Sequence, residues 1–165
     1  MVRQIALDGA IHTVVGTGGA GYRGDAGDAL DAVLHAPSGI AFDGEGNLYI
    51  ADTLNQRVRR VDVNHQIATV AGTGATGYLG DGRHASFAEL NLATNPLEGM
   101  GQCLAVDSRG DVFIADALNH RVRRIDVSGT ISTIAQMRTP LGVAVDGQGF
   151  VFVADAEDNR VSRIG

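Results

Sequence analysis

One stretch of the chain occurs three times. Residues 46–62, Gly-Asn-Leu-Tyr-Ile-Ala-Asp-Thr-Leu-Asn-Gln-Arg-Val-Arg-Arg-Val-Asp, return at 110–126 as Gly-Asp-Val-Phe-Ile-Ala-Asp-Ala-Leu-Asn-His-Arg-Val-Arg-Arg-Ile-Asp. They return in worn form at 149–164 as Gly-Phe-Val-Phe-Val-Ala-Asp-Ala-Glu-Asp-Asn-Arg-Val-Ser-Arg-Ile. A supersecondary unit of this kind cannot bury its apolar surface alone, so copies stack on copies.

Each copy reads as short strands. Gly39 to Phe42 and Leu48 to Ala51 are apolar runs around an Asp-Gly-Glu-Gly-Asn turn, the pattern of a β-hairpin. A turn at 52–56, a third strand at Val58 to Val61, an Asp62–His65 turn and a fourth strand at Ile67 to Ala71 complete a four-stranded meander. Val58 and Val61 point to opposite faces of the third strand, which predicts a sheet covered on both sides. The second copy repeats this from Cys103 to Ala135. The third gives strands at 142–145, 151–153 and 161–164 and no fourth. The N-terminus supplies matching pieces: Val2 to Ile5 resembles Val58 to Val61, and Ile11 to Gly18 resembles Ile67 to Gly74.

The copies are unequally spaced. Asp52 to Asp116 is 64 residues and Asp116 to Asp155 is 39. The difference lies in the links. Gly16-Thr17-Gly18 to Asp25 recurs 56 residues later as Gly72-Thr73-Gly74 to Asp81. Each is followed by small or apolar residues at helical spacing, which predicts one short helical turn. The second link carries eight further residues between Leu90 and Cys103, placed at Asn95 to Gly101, and the third copy has no Gly-rich link.

Composition narrows the function. The chain has 165 residues and a formal net charge of −6, and all 13 of its basic residues are arginines. An acidic domain of this kind argues against nucleic-acid binding. No apolar run approaches the roughly 20 residues that cross a bilayer. Met1 to Ile5 lacks the apolar core of a signal peptide, although a longer parent could be exported. The single cysteine, Cys103, allows no intrachain disulfide and no CxxC metal site.

The pattern of Gly, Asn or Asp, four apolar residues ending in Ala-Asp, then Asn-x-Arg-Val-x-Arg resembles the NHL repeat, over nearly the whole chain. The Gly-Thr-Gly…Gly-Tyr-x-Gly-Asp link is similar to the long form found in bacterial proteins and teneurins. The resemblance implies an all-β propeller of four-stranded antiparallel blades around a central channel. It implies a binding platform more than an enzyme, although the peptidyl-amidating lyases are metal-dependent relatives. The expected organisation is one half-propeller: strands in 1–18 that complete a blade, blades at 37–74 and 96–137, and an incomplete blade at 139–165. About three blades cannot close a ring by themselves. A homodimer that exchanges strands to make six blades is therefore expected, with Val2–Ile5 and Val161–Ile164 competing for one slot. The alternatives are a metal-dependent lyase or lactonase-like hydrolase, and an excised or engineered fragment with no activity.

The site residues follow. Asp52, Asn55 and Arg57, with Asp116, Asn119 and Arg121 and with Asp155, Asp158 and Arg160, recur in every copy. They read as an Asx-bonded turn and an Asp–Arg pair that hold the architecture. The arginine clusters 57–60 and 121–124 read as solvated strand faces. Both links match G-x-G-x-x-G, but the helix and parallel strand of a dinucleotide fold are missing, so they read as turns. The histidines are scattered, Asp43, Asp107 and Asp146 fit hairpin chemistry, and no catalytic, metal or cofactor set is expected. The expected contact surface for a protein or small ligand is the loops carrying Tyr22, Arg23, Asp25, Tyr78 and Asp81, with Leu97 and Met100 in the insertion.

Overall fold

The computed structural model describes residues 1–92 and 103–165, and all pairings between its strands are antiparallel. The first strands are β1 (Val2–Ile5) and β2 (Ile11–Val15), which form a hairpin. The first meander is β4 (Pro37–Phe42), β5 (Leu48–Asp52), β6 (Arg57–Val61) and β7 (Gln66–Ala71), with the two-residue β3 (Gly27–Asp28) on the outer edge of β7. The second is β8 (Leu104–Val106), β9 (Val112–Asp116), β10 (Arg121–Ile125) and β11 (Ile131–Gln136). The third has three strands, β12 (Pro140–Val145), β13 (Val151–Asp155) and β14 (Arg160–Ile164). The predicted strands are all present.

Aspartates make the hairpins. Asp43 Oδ1 accepts the N–H groups of Glu45 and Asn47, and Asp107 and Asp146 do the same for the residues two and four ahead. Their carboxylates are thus committed to backbone donors, which is turn chemistry. The outer pairs β6–β7, β10–β11 and β1–β2 each carry a bulge at the same place, between Val58 and Arg59, Val122 and Arg123, and Val2 and Arg3. β1–β2 is therefore a third-and-fourth-strand pair, as its sequence suggests.

The meanders stack with β8 beside β4 and β12 beside β8 and β9. One core runs through the second meander, from Tyr49, Ala51 and Val58 on one side to Val143, Val151 and Val153 on the other. Val58 belongs to this core and Val61 to a second one with Val15, Leu48, Ile50 and Ile67, so both faces of β6 are covered.

The two Gly-rich links are wedges. Ala29 accepts from Gly16 N–H, at the end of β2, while Ala26 and Ala29 donate to Ile67 and His65 around β7. Ala29, Ala32 and Leu34 are buried in the seam. The second link repeats this between β7 and β11, through Gly72 to Ala85, Gly82 to Ile131 and Ala85 to Gly129. The predicted short turns are 3-10 turns at Ala29–Asp31 and Ala85–Phe87. Gly24 and Gly80 are required here: each has φ above +100°, and a Cβ would lie 2.7 or 2.6 Å from the Cα of Ala32 or Ala88. Between β11 and β12 no wedge exists.

Within the described residues β2 pairs only with β1 and β14 only with β13. Both claimants to the third-strand slot are therefore formed in one chain, each in its own sheet.

Candidate functional site

The recurring polar residues converge where β5 and β9 end. Asp52, fully buried, accepts His35 N–H at 2.7 Å, Asn55 Nδ2 at 2.8 Å and Arg59 Nη1 at 3.2 Å. Arg59, also fully buried, turns Nε and Nη2 to Asp25 at 3.1 and 2.7 Å and reaches the carbonyl of Arg23. The Tyr22 hydroxyl donates to Asp25 at 2.8 Å and lies 3.0 Å from Thr69 Oγ1, while the Arg57 guanidinium sits 3.9 Å above the ring. Asn55 also donates to Gly21 O, which closes the loop onto the meander. A buried guanidinium needs acceptors for its donors, and here they come from two segments 27 residues apart.

The second meander repeats this with one weaker arm. Asp116 accepts Asn91 N–H at 2.7 Å, Asn119 Nδ2 at 2.8 Å and Arg123 Nη1 at 3.3 Å. Asp81 lies 2.8 Å from Arg123 Nη2 but off hydrogen-bond direction, and Arg123 Nε is without an acceptor among the described residues. Arg121 stacks over Tyr78 at 4.5 Å. Burial lifts the Asp116 carboxyl above the ordinary 3.8, and its donors and Arg123 only partly offset this. Burial also pushes Asp25 upward, but Thr69, Tyr22 and Arg59 outweigh it and hold that carboxyl below 3.8.

These contacts correct three expectations. The aspartates pair with Arg59 and Arg123, two residues beyond the expected Arg57 and Arg121, which cover tyrosine rings instead. The arginine clusters are not simply solvated faces, since one arginine in each is fully buried. Nor is the pair present in every copy. In the third meander Ser162 stands at the Arg59 position, and Asp155 accepts the N–H groups of Arg138 and Thr139 at 3.0 and 2.9 Å. These donors, Thr139 then Arg138, outweigh the upward push of burial and hold Asp155 below 3.8. Asp158 takes Arg160 at 2.9 Å and lies 3.8 Å from Arg138. One signal was legible: the arginine and the Gly-Tyr-x-Gly-Asp link occur together in two copies and are lost together in the third.

The loop residues Tyr22, Asp25, Tyr78 and Asp81 thus pin the links to their meanders, and Arg23 serves through its carbonyl. Leu97 and Met100 lie outside the described residues. Gly72, in the dinucleotide-like motif, packs so closely that a Cβ would lie 2.2 Å from Gln56 O, so this segment is a packed turn with no cradle. Among the described residues no three His, Cys, Asp or Glu side chains stand together as a metal set. Cys103 is buried, and burial raises its thiol pKa.

One end face of the stack is bare and the other is only partly covered, by the β1–β2 hairpin. Val58 and Val122 are fully buried, whereas the equivalent Val161 is 70% exposed. On the opposite end Leu104 is fully buried, whereas the equivalent Ile40 is 40% exposed and Phe42 beside it 63%. A cavity of about 310 Å³ opens there between β1–β2 and β4–β5, lined by Val2, Val14, Ile40, Phe42, Leu48 and Val61.

The NHL-repeat profile matches residues 137–164. The chain is 32% identical over 152 residues to NHL repeat-containing protein 2 of Gallus gallus, covering 84% of this chain and 19% of that protein. It is 33% identical over 135 residues to Teneurin-m of Drosophila melanogaster, covering 76% and 5%. The chain belongs to the NHL-repeat family. It spans a fifth or less of the length of these relatives. A Bacteroides thetaiotaomicron protein of unknown function superposes with a TM-score of 0.65 at 17% identity, over 95% of this chain and 40% of that one. Virginiamycin B lyase of Staphylococcus aureus superposes at 0.55 and 18%, over 78% and 38%. These likenesses carry the fold, and the NHL meanders are blades of a β-propeller.

Proposed function

We propose that this NHL chain is a non-enzymatic module for protein binding and scaffolding, and that two copies join head to tail into a ring of about six blades. The observation that carries this is the pair of incompletely covered end faces. Phe152, Ala154 and Val161 repeat Phe113, Ala115 and Val122, which the next blade covers. Ile40 and Phe42 repeat Leu104 and Val106, which the preceding blade covers. The open end of one copy therefore matches the open start of another, and the cavity behind Phe42 is the room that the incoming blade would fill. Large exposed apolar faces of this kind mark interaction sites.

In such a ring β2 of the partner copy runs along β14 as its fourth strand. Each chain supplies 37–74 and 96–137 as blades and 139–165 as three strands that 1–18 of the other copy completes. β1 then gives way, because only Val2 of its four residues is even partly buried, whereas β14 keeps Ser162 and Ile164 partly buried. The recurring aspartates are engaged by backbone N–H groups and side chains of their own chain, which favours an architectural task over a lyase-like one.

Light scattering of the whole chain over a dilution series tests the reading. A mass of twice 17.1 kDa is expected, with Phe42→Asp and Val161→Asp each reducing it to one chain. A folded monomer at all concentrations would overturn the assembly. Strong thermal stabilisation by a divalent cation would favour the metal-enzyme alternative.

A further inference from the structure

The third blade lacks a piece of chain that the first two hold, and the gap has a shape. In the first two links, residues 18–34 and 74–90 have no counterpart between Met137 and Arg138. At the junction of the first and second blades, the strip 73–78 crosses from the start of β6 to the start of β10. Arg57 Nη2 donates to Thr73 O, Asn119 donates to Gly77 O, and the Tyr78 ring lies under Arg121. At the next junction only the short 137–139 segment crosses, with His120 hydrogen-bonded to Arg138 O and Arg138 paired with Glu157, and among the described residues no Gly-Tyr strip lies over it. A notch of about 400 Å³ stands there, lined by Asn119, Arg121, Met137, Arg138, Asp158 and Arg160.

We propose that this notch is a binding site for an extended peptide carrying an aromatic side chain, whose ring stacks on the Arg160 guanidinium. Two observations select this class of ligand. The equivalent arginines, Arg57 and Arg121, each cover a tyrosine ring, while the Arg160 side chain is 59% exposed and no ring covers it among the described residues. Two of the three arginines of the notch also have carboxylate partners, Arg138 on Glu157 at 2.8 Å and Arg160 on Asp158 at 2.9 Å, and the third, Arg121, already covers Tyr78. A simple anion must displace a carboxylate, whereas a ring needs only the flat face that an ion-paired guanidinium still presents. Asp158 stands where Asn55 and Asn119 donate to a glycine carbonyl, and as an acceptor it weakens, without abolishing, the binding of a peptide that turns a carbonyl there. The site lies away from Phe42 and uses the guanidinium face that Tyr22 and Tyr78 occupy elsewhere, whereas a partner's β2 would meet the Arg160 edge that corresponds to the Arg57 donor to Thr73 O.

The probe is a synthetic peptide with the sequence of residues 72–82, titrated into the whole chain and followed by NMR of arginine side-chain Nε–H signals. Saturable shifts of Arg160 and Arg121 are expected. A peptide with alanine in place of its tyrosine should bind at least tenfold more weakly. Arg160→Ala and Arg160→Lys should both lose binding, since lysine keeps the charge but not the plane. Asp158→Asn should bind this peptide more tightly, because asparagine can donate to its glycine carbonyl. The proposal fails if the alanine peptide binds equally, if Arg160→Lys is indifferent, if no shift appears, or if inorganic phosphate shifts Arg160 and the peptide does not. Repeating the titration in Phe42→Asp separates this site from the assembly, and the same shifts are expected there.

Discussion

The second and third blades are built from nearly the same sequence, yet they close differently. In the second, Arg123 is buried between Asp116 and Asp81, and a link of small residues seals the seam outside it. In the third, the link is gone, serine replaces the arginine, and Asp155 is satisfied by two backbone N–H groups. The difference teaches that the buried arginine is not a property of the blade. It belongs to the link, which supplies its second carboxylate and its cover. The third copy, the most worn of the three, is the one that the NHL-repeat profile matches. The short blade is thus the plain form of the repeat, and the first two carry an added wedge.

The comparison breaks most directly at the arginine. Removing one partner of a buried ion pair typically costs about 3–5 kcal/mol, because the other charge stays buried. Arg123→Ala should lose about that much in urea unfolding, and Ser162→Ala less than about 0.5 kcal/mol. Equal losses would mean that the arginine is not what distinguishes the blades.

The two aspartates should also titrate in opposite directions. Asp116 is raised, so its native carboxyl holds a proton that the unfolded one has released. Its contribution is fully present below the unfolded value of 3.8 and is lost as pH rises through the native value. Asp155 is lowered, so it stabilises above 3.8, and that support is lost as pH falls through the native value. Carboxyl NMR titrations should place the two on opposite sides of 3.8, and Asp116→Asn should remove the loss of stability on the alkaline side. Both falling on one side would erase this contrast.

A smaller effect sharpens the account of the wedges. Tyr22→Phe removes the hydroxyl that holds Asp25 and contacts Thr69, but keeps the ring under Arg57. A loss of about 1 kcal/mol is expected from one net hydrogen-bond contribution, and hydrogen exchange of Gly16 and Thr17 should rise as the link loosens. Unchanged exchange would show that the ring alone pins the loop.

Much of this was legible in the sequence. Strands, hairpins and blade order follow from short apolar runs punctuated by Asp and Gly, because these signals are local. The arginine partners were not legible. Arg59 sits in a run of three arginines next to Asp62, which reads as a solvated face, while the acid that holds it, Asp25, is 34 residues away in a loop. Nothing in strand spacing reports which of several arginines is sealed from solvent when its cover comes from a distant loop. The tyrosines misled for a related reason: a ring in a Gly-rich loop looks like a contact residue until its guanidinium lid is placed.

The most direct measurement is hydrogen exchange of the β14 amides, read at concentrations well above and well below that of association. If the third blade is completed by a second copy, amides facing the open edge of β14 should be protected like those of β10 at high concentration and exchange freely when diluted. The same rates at both concentrations, with Val161 remaining exposed, would contradict the head-to-tail ring.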